Sequence, residues 1–118
     1  MNVSTVELQV SEVTNVASTE DVLTVVLADG RSISVPLSWY PRLVHATQKE
    51  RDHWRLIGES EGIHWPDLDE DISIQDLLGG WPSGESRRSF QRWLEAKREG
   101  RPLTLDALRE HERREQGG

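Results

Sequence analysis

Cysteine is absent from the 118 residues, which removes disulfides, thiolate metal sites and thiol nucleophiles together. No apolar run approaches the roughly 20 residues that a membrane span requires. Residues 1–10 also lack the basic-then-apolar order of a signal peptide, so a soluble, cytoplasmic protein without membrane contact is the expectation. No phosphate-cradling glycine pattern occurs, and Ser38, Ser60 and Ser73 sit in no Gly-x-Ser-x-Gly elbow, which leaves nucleotide and serine-nucleophile chemistry without a motif. Basic residues are scarce over most of the chain. Residues 1–82 carry 5 Lys/Arg against 14 Asp/Glu, a balance of −9, while residues 83–118 carry 9 against 7, a balance of +2. An acidic body repels a phosphate backbone, so nucleic acid is disfavoured there and, if touched at all, is touched by the tail.

The length suits one domain with a tail. Residues 22–28 and 31–35 are β-rich runs around Asp29-Gly30, a strong hairpin signal. A two-residue loop would set Leu23, Val25 and Leu27 on the face of Ser32 and Ser34. A three-residue loop, Ala28-Asp29-Gly30, with Gly30 left-handed in a bulge, gathers Leu23, Val25, Leu27, Ile33 and Val35 on one face, and is the register expected. Residues 7–16 supply a further strand, bulged midway where the alternation breaks.

Pro36 and Pro41 end the sheet, and Pro41 suits a first helical position. Thr47-Gln48-Lys49-Glu50 is a capping-box pattern, from which a helix is expected over residues 48–57, stopped by Gly58. Residues 62–66 read as a short edge strand ended by Pro66. Ser73 is placed as the N-cap of a helix of little more than one turn, followed by the breaker-rich segment 79–84. Phe90, Trp93, Leu94 and Lys97 follow an i, i+3, i+4, i+7 pattern, so residues 86–99 read as an amphipathic helix, with Thr104 capping a last polar one.

The most conspicuous chemistry lies in His64-Trp65-Pro66-Asp67-Leu68-Asp69-Glu70-Asp71-Ile72, where four carboxylates fall within five positions. His64 and the acidic loop could hold a hard cation or activate a water, which makes a metal-dependent hydrolase one alternative. The calcium-loop spacing is missing, however, and carboxylates ahead of a helix are expected from its dipole alone. No catalytic residue, metal ligand or cofactor is therefore assigned. Arg42 or Arg51 is expected to bridge Asp69 or Asp71, tying the helical face to the acidic loop. The aromatic set Trp39, Tyr40, Trp54 and Trp65 is dense for so small a body. Trp54 is assigned to the core, and Trp39, Trp65 and Trp81 to an exposed partner-binding surface.

The residues Asp29-Gly30-Arg31, Pro36-Leu37-Ser38-Trp39-Tyr40-Pro41-Arg42-Leu43, Ala46-Thr47 with Glu50-Arg51 and Trp54, Gly62-Ile63-His64-Trp65-Pro66, Leu68-Asp69-Glu70-Asp71-Ile72 and Leu77-Leu78 occur in that order. In this the chain resembles the bacterial domain of unknown function 2442 family over about residues 5–80. The resemblance implies a small α+β domain without an established activity. Members occur alone or ahead of a helix-turn-helix segment, and some are suspected halves of toxin–antitoxin-like pairs.

The fold expected is α+β: a three- or four-stranded antiparallel sheet with helices on one side over residues 1–82, then a helical arm over residues 83–118. The function expected is a non-enzymatic protein-interaction module, an antitoxin-like or regulatory partner of another small protein. Phe90, Trp93 and Leu94 form the stripe through which the arm would bind that partner or a second copy of the chain. A DNA-binding regulator using the basic tail is the other alternative.

Overall fold

A computed structural model of the chain describes residues 12–117, and the chain divides into two compact units at Pro82/Ser83. Secondary structure is α+β, with two small antiparallel sheets in the first unit and helices alone in the second.

The first sheet comprises β1 (Val13–Ser18), β2 (Val22–Leu27) and β3 (Ser32–Pro36), with β2 central. Its hairpin has the bulged register. Leu23 pairs with Val35 and Val25 with Ile33, the Leu27 N–H donates to the Arg31 carbonyl at 2.8 Å, and the Gly30 N–H donates to the Leu27 carbonyl at 3.1 Å. Gly30 has φ +94°, the left-handed conformation that the bulge needs. Asp29 braces the loop by accepting the Arg31 backbone N–H at 3.0 Å and its Nε–H at 2.8 Å. Those bonds, the backbone one foremost, hold its carboxyl below the usual range. Leu23, Val25, Leu27 and Val35 are buried and Ile33 half-buried. On the opposite face Thr24 and Ser34 share a hydroxyl bond of 3.0 Å. In β1 the register slips between Val13 and Asn15, a bulge at Thr14. The part of the expected first strand before residue 12 lies outside the described residues.

The second sheet corrects three expectations. The helix begun by Thr47 ends at Asp52, and Arg55–Ile57 is a strand, β4. The capping box itself forms: Thr47 Oγ1 accepts the Glu50 N–H at 3.1 Å and Glu50 Oε1 accepts the Thr47 N–H at 2.9 Å. Beyond it the apolar stripe was too short to hold a helix on the core, and Leu56-Ile57 gain a full ladder by pairing with β5 (Gly62–Trp65). Residues 62–65 are consequently the central strand of a separate sheet and not an edge of the first, with the acidic run Glu70–Ser73 as β6 on the other side.

The β4–β5 turn uses non-glycine residues in the left-handed region, Glu59 at φ +56° and Ser60 at φ +66°. The Glu61 N–H closes it on the Gly58 carbonyl at 3.1 Å, and the Ser60 carbonyl accepts the Val13 N–H of β1 at 2.9 Å. That bond to the first sheet helps to offset a strain of about 1–2 kcal/mol per residue.

Between the sheets run a 3-10 turn (Leu37–Trp39), α1 (Pro41–Val44, with Pro41 at its first turn) and α2 (Gln48–Asp52). Ser73 closes β6 and caps α3 (Ile74–Gly79), its hydroxyl accepting the Asp76 N–H at 3.1 Å. Leu37, Leu43, Ile63, Trp65, Leu68, Ile72, Ile74 and Leu77 are buried and continue the core of the first sheet.

The second unit is a helical hairpin, α4 (Arg87–Arg98) and α5 (Leu105–Gly117), which pack on one another. Ser86 caps α4 through the Ser89 N–H at 3.1 Å, and the Thr104 hydroxyl accepts the Ala107 N–H at 3.3 Å at the start of α5. Gly100, at φ +70°, turns the chain between them. Among the described residues no helix is long and apolar enough to cross a membrane.

Candidate functional site

The acidic run is a strand flank and turn, and its carboxylates are divided among separate partners. His64 on β5 faces Asp71 on β6 in the ladder, and its Nδ1 contacts the Asp71 carboxylate. Asp67, in the turn after Pro66, meets His53 Nδ1 at 2.8 Å. Asp69 sits left-handed at φ +52°, and its main-chain carbonyl accepts from Arg42 at 2.8 Å. Among the described residues no three His, Asp or Glu side chains gather to hold a metal ion. Strand alternation explains the dispersal. Along β6 Ile72 turns inward while Asp71, with a side chain 66% exposed, turns to solvent.

Arg51 is a different kind of site from the expected bridge to Asp69 or Asp71. Its residue surface is only 7% exposed, and its guanidinium donates to the Leu43 carbonyl at 3.2 Å, the Ala46 carbonyl at 2.8 Å and Gln48 Oε1 at 3.0 Å. A cation therefore closes the carbonyl end of α1, where the helix dipole is negative. The sequence pattern pointed to a carboxylate because a guanidinium and an acid are both ionic. The carbonyls of Leu43 and Ala46, at and just beyond the helix end and visible in no residue code, took the bonds instead.

Trp65 also departs from its assignment to a surface. It is 0% exposed, and its indole N–H donates to the Arg51 carbonyl at 2.9 Å. Trp39 and Trp54 are half-buried. In the second unit Trp93 and Leu94 are buried within the single chain and Phe90 is half-buried, its ring stacked on Trp93 with centroids 5.7 Å apart. Two of the three stripe residues are thus covered within the chain, and Phe90 is covered in part.

Trp81 remains, at 64% exposure, with Leu78 at 44%. The end of α3 fixes it. The Gly80 N–H bonds the Leu77 carbonyl at 3.2 Å and the Trp81 N–H bonds the Asp76 carbonyl at 2.9 Å, while Gly80 takes φ +74°. This double bond pattern at a helix end holds the backbone of Trp81 in place. Its ring lies against Gly79, where a Cβ would stand 3.3 Å from Trp81 Cδ2. An aromatic ring is held on a rigid stub and shown to solvent. Leu78 was read from sequence as part of the family pattern and not as a partner contact, although its place beside a helix-ending Gly-Gly was legible.

Sequence reasoning also missed the arginines of the second unit. Arg88 and Arg92 on α4 and Arg109 and Arg113 on α5 line one groove of about 640 Å³. The two i, i+4 spacings were readable; that they face each other depends on how α4 and α5 pack.

The model of the family described as "Protein of unknown function (DUF2442)" matches residues 13–83, and the chain belongs to that family. No curated protein matches it. A solved structure of a protein of unknown function from Rhodospirillum rubrum ATCC 11170 is similar at 20% identity, over 65% of this chain and 95% of that one, with a TM-score of 0.57. That likeness concerns the fold alone.

Proposed function

We propose that this member of the DUF2442 family is a non-enzymatic protein-interaction module, a regulatory or antitoxin-like partner of another small protein, which it engages through the first unit. The observation that carries the reading is Trp81, a fixed tryptophan at 64% exposure beside the exposed Leu78. Large aromatic anchors are enriched among the few residues that dominate interface energies. The balance of −9 over residues 1–82 selects a basic partner, which an acidic surface attracts and orients. His53 and His64 each hold one carboxylate, an arrangement suited to fixing surface charge.

The test is capture of the partner from the native cell by the unaltered chain and by Trp81→Ala. A specific basic protein should be retained by the first and lost by the second, with unchanged thermal unfolding, and its retention should weaken as salt rises. Equal capture by both chains would refute the role of Trp81.

A further inference from the structure

Four arginines and three carboxylates line the groove of the second unit, but they are not equivalently employed. Glu112 takes Arg88 at 2.6 Å and Arg92 at 3.6 Å, and Glu110 takes Arg114 at 2.8 Å. Arg109 and Arg113 have no carboxylate partner among the described residues, and the Nε–H of Arg92 is buried without an acceptor. Arg109 and Arg113 lie one helical turn apart on α5, where like charges repel. One turn before them on the same face stands Leu105, a large apolar side chain at 46% exposure. The exposed ridge of α5 therefore reads apolar, cationic, cationic at steps of four residues.

We infer that this groove docks an amphipathic acidic helix of another protein, one that lays an apolar residue on Leu105 and sets carboxylates against Arg109 and Arg113. A guanidinium pairs with a carboxylate through two parallel bonds, so the spacing of the arginines fixes that of the acids. The carboxylates of the groove decide against a polyanion. Asp106 would face a phosphate strand directly, and residues 83–118 carry 9 Lys/Arg against 7 Asp/Glu, too small an excess to neutralise a continuous strand. Isolated acids on a helix can instead meet the free arginines while Asp106 accepts from a donor beside them. This site is separate from the Trp81 surface and involves none of its residues.

The probe is a labelled alanine-based helical peptide with Leu, Glu and Glu at successive four-residue intervals, titrated with the full chain and followed by fluorescence anisotropy. Saturable binding that weakens with salt is expected. Arg109→Gln combined with Arg113→Gln should weaken it by about tenfold or more, as should a peptide with Gln in place of both Glu residues. Arg109→Lys, which keeps the charge and loses the fork, should fall between. Trp81→Ala should leave binding unchanged, which separates this site from the proposed function. If the double variant loses helicity, Leu105→Gln and the Gln peptide provide the same reading on an intact hairpin. The inference is overturned if no saturable binding to the unaltered chain occurs, or if the arginine variants bind equally well. Binding of a single-stranded oligonucleotide in place of the peptide would overturn it in favour of nucleic acid. Sedimentation showing a salt-sensitive dimer that is lost in the double variant would assign the groove to a second copy of the chain instead.

Discussion

Replacing Arg51 by Met keeps most of the buried volume and removes the cation, so it isolates what the guanidinium contributes. Three bonds disappear, to the Leu43 carbonyl, the Ala46 carbonyl and Gln48 Oε1. Bonds from a charged donor contribute about 1.5–3 kcal/mol each, and a buried acceptor left empty costs about 1–3 kcal/mol. The Ala46 and Gln48 acceptors are partly buried and recover water, and the buried Leu43 carbonyl keeps the Ala46 N–H at 3.2 Å, so the main loss is the charge-assisted bonds themselves and not an empty acceptor. Against this, the variant no longer desolvates a guanidinium whose Nε–H has no acceptor, which returns about 1 kcal/mol or more. The net expectation is a loss of roughly 2–3 kcal/mol, a large share of a total that is about 5–15 kcal/mol for a typical domain. Urea unfolding followed by tryptophan fluorescence is suited to the measurement, because Trp65 donates its indole N–H to the Arg51 carbonyl. The midpoint should fall with little change in slope. Arg51→Lys should fall between, since one ammonium cannot span both carbonyls and the amide. A neutral or stabilised Arg51→Met would refute the reasoning, showing that desolvation of the cation outweighs its three bonds.

Gly30→Ala meets no atom within 4 Å of the added Cβ, so its expected loss of about 1 kcal/mol or more in urea unfolding is backbone strain alone, and a neutral result would contradict the bulged register. Asp71→Asn should cost less than about 1 kcal/mol in thermal or urea unfolding, because the carboxylate that holds His64 is 66% exposed. Tyr40 is the only tyrosine, and burial, aided by Asp76 and Glu70, raises its pKa from 10.0 to about 12. The folded state thus keeps the proton longer than the unfolded chain, so this contribution to stability is intact below pH 10 and is lost as pH rises through about 12. Phenolate absorbance reads that titration directly. Tyr40→Phe should abolish this alkaline loss and cost little stability at neutral pH, since the buried hydroxyl has no hydrogen-bond partner.

What was legible in the sequence is what neighbouring residues decide among themselves. The bulged hairpin followed from putting Leu23, Val25, Leu27, Ile33 and Val35 on one face. The Thr47 and Ser73 caps followed from side chains that reach amides three residues away. The break after Pro82 followed from a run of glycine and proline that neither helix nor strand accepts. Each of these rests on an alternation, a cap pair or a breaker run that residue type and spacing display directly.

The errors arise where no such pattern is displayed. Residues 55–57 were read as the end of a helix because the left-handed Gly58 that opens the turn to their strand partners, residues 62–64, reads equally well as a helix stop. Once that turn forms, Ile63 and Trp65 are carried inward together, and the tryptophan that composition offers as a surface anchor becomes the buried donor to Arg51. The same ladder sets His64 opposite Asp71 and turns that carboxylate to solvent, so a run that is dense in acids along the chain is sparse in space. Carboxylate density therefore marks where charge collects, while strand register determines whether the charges converge. Here Asp67 meets His53 and Asp71 meets His64, so even the two carboxylates that find histidines find separate ones.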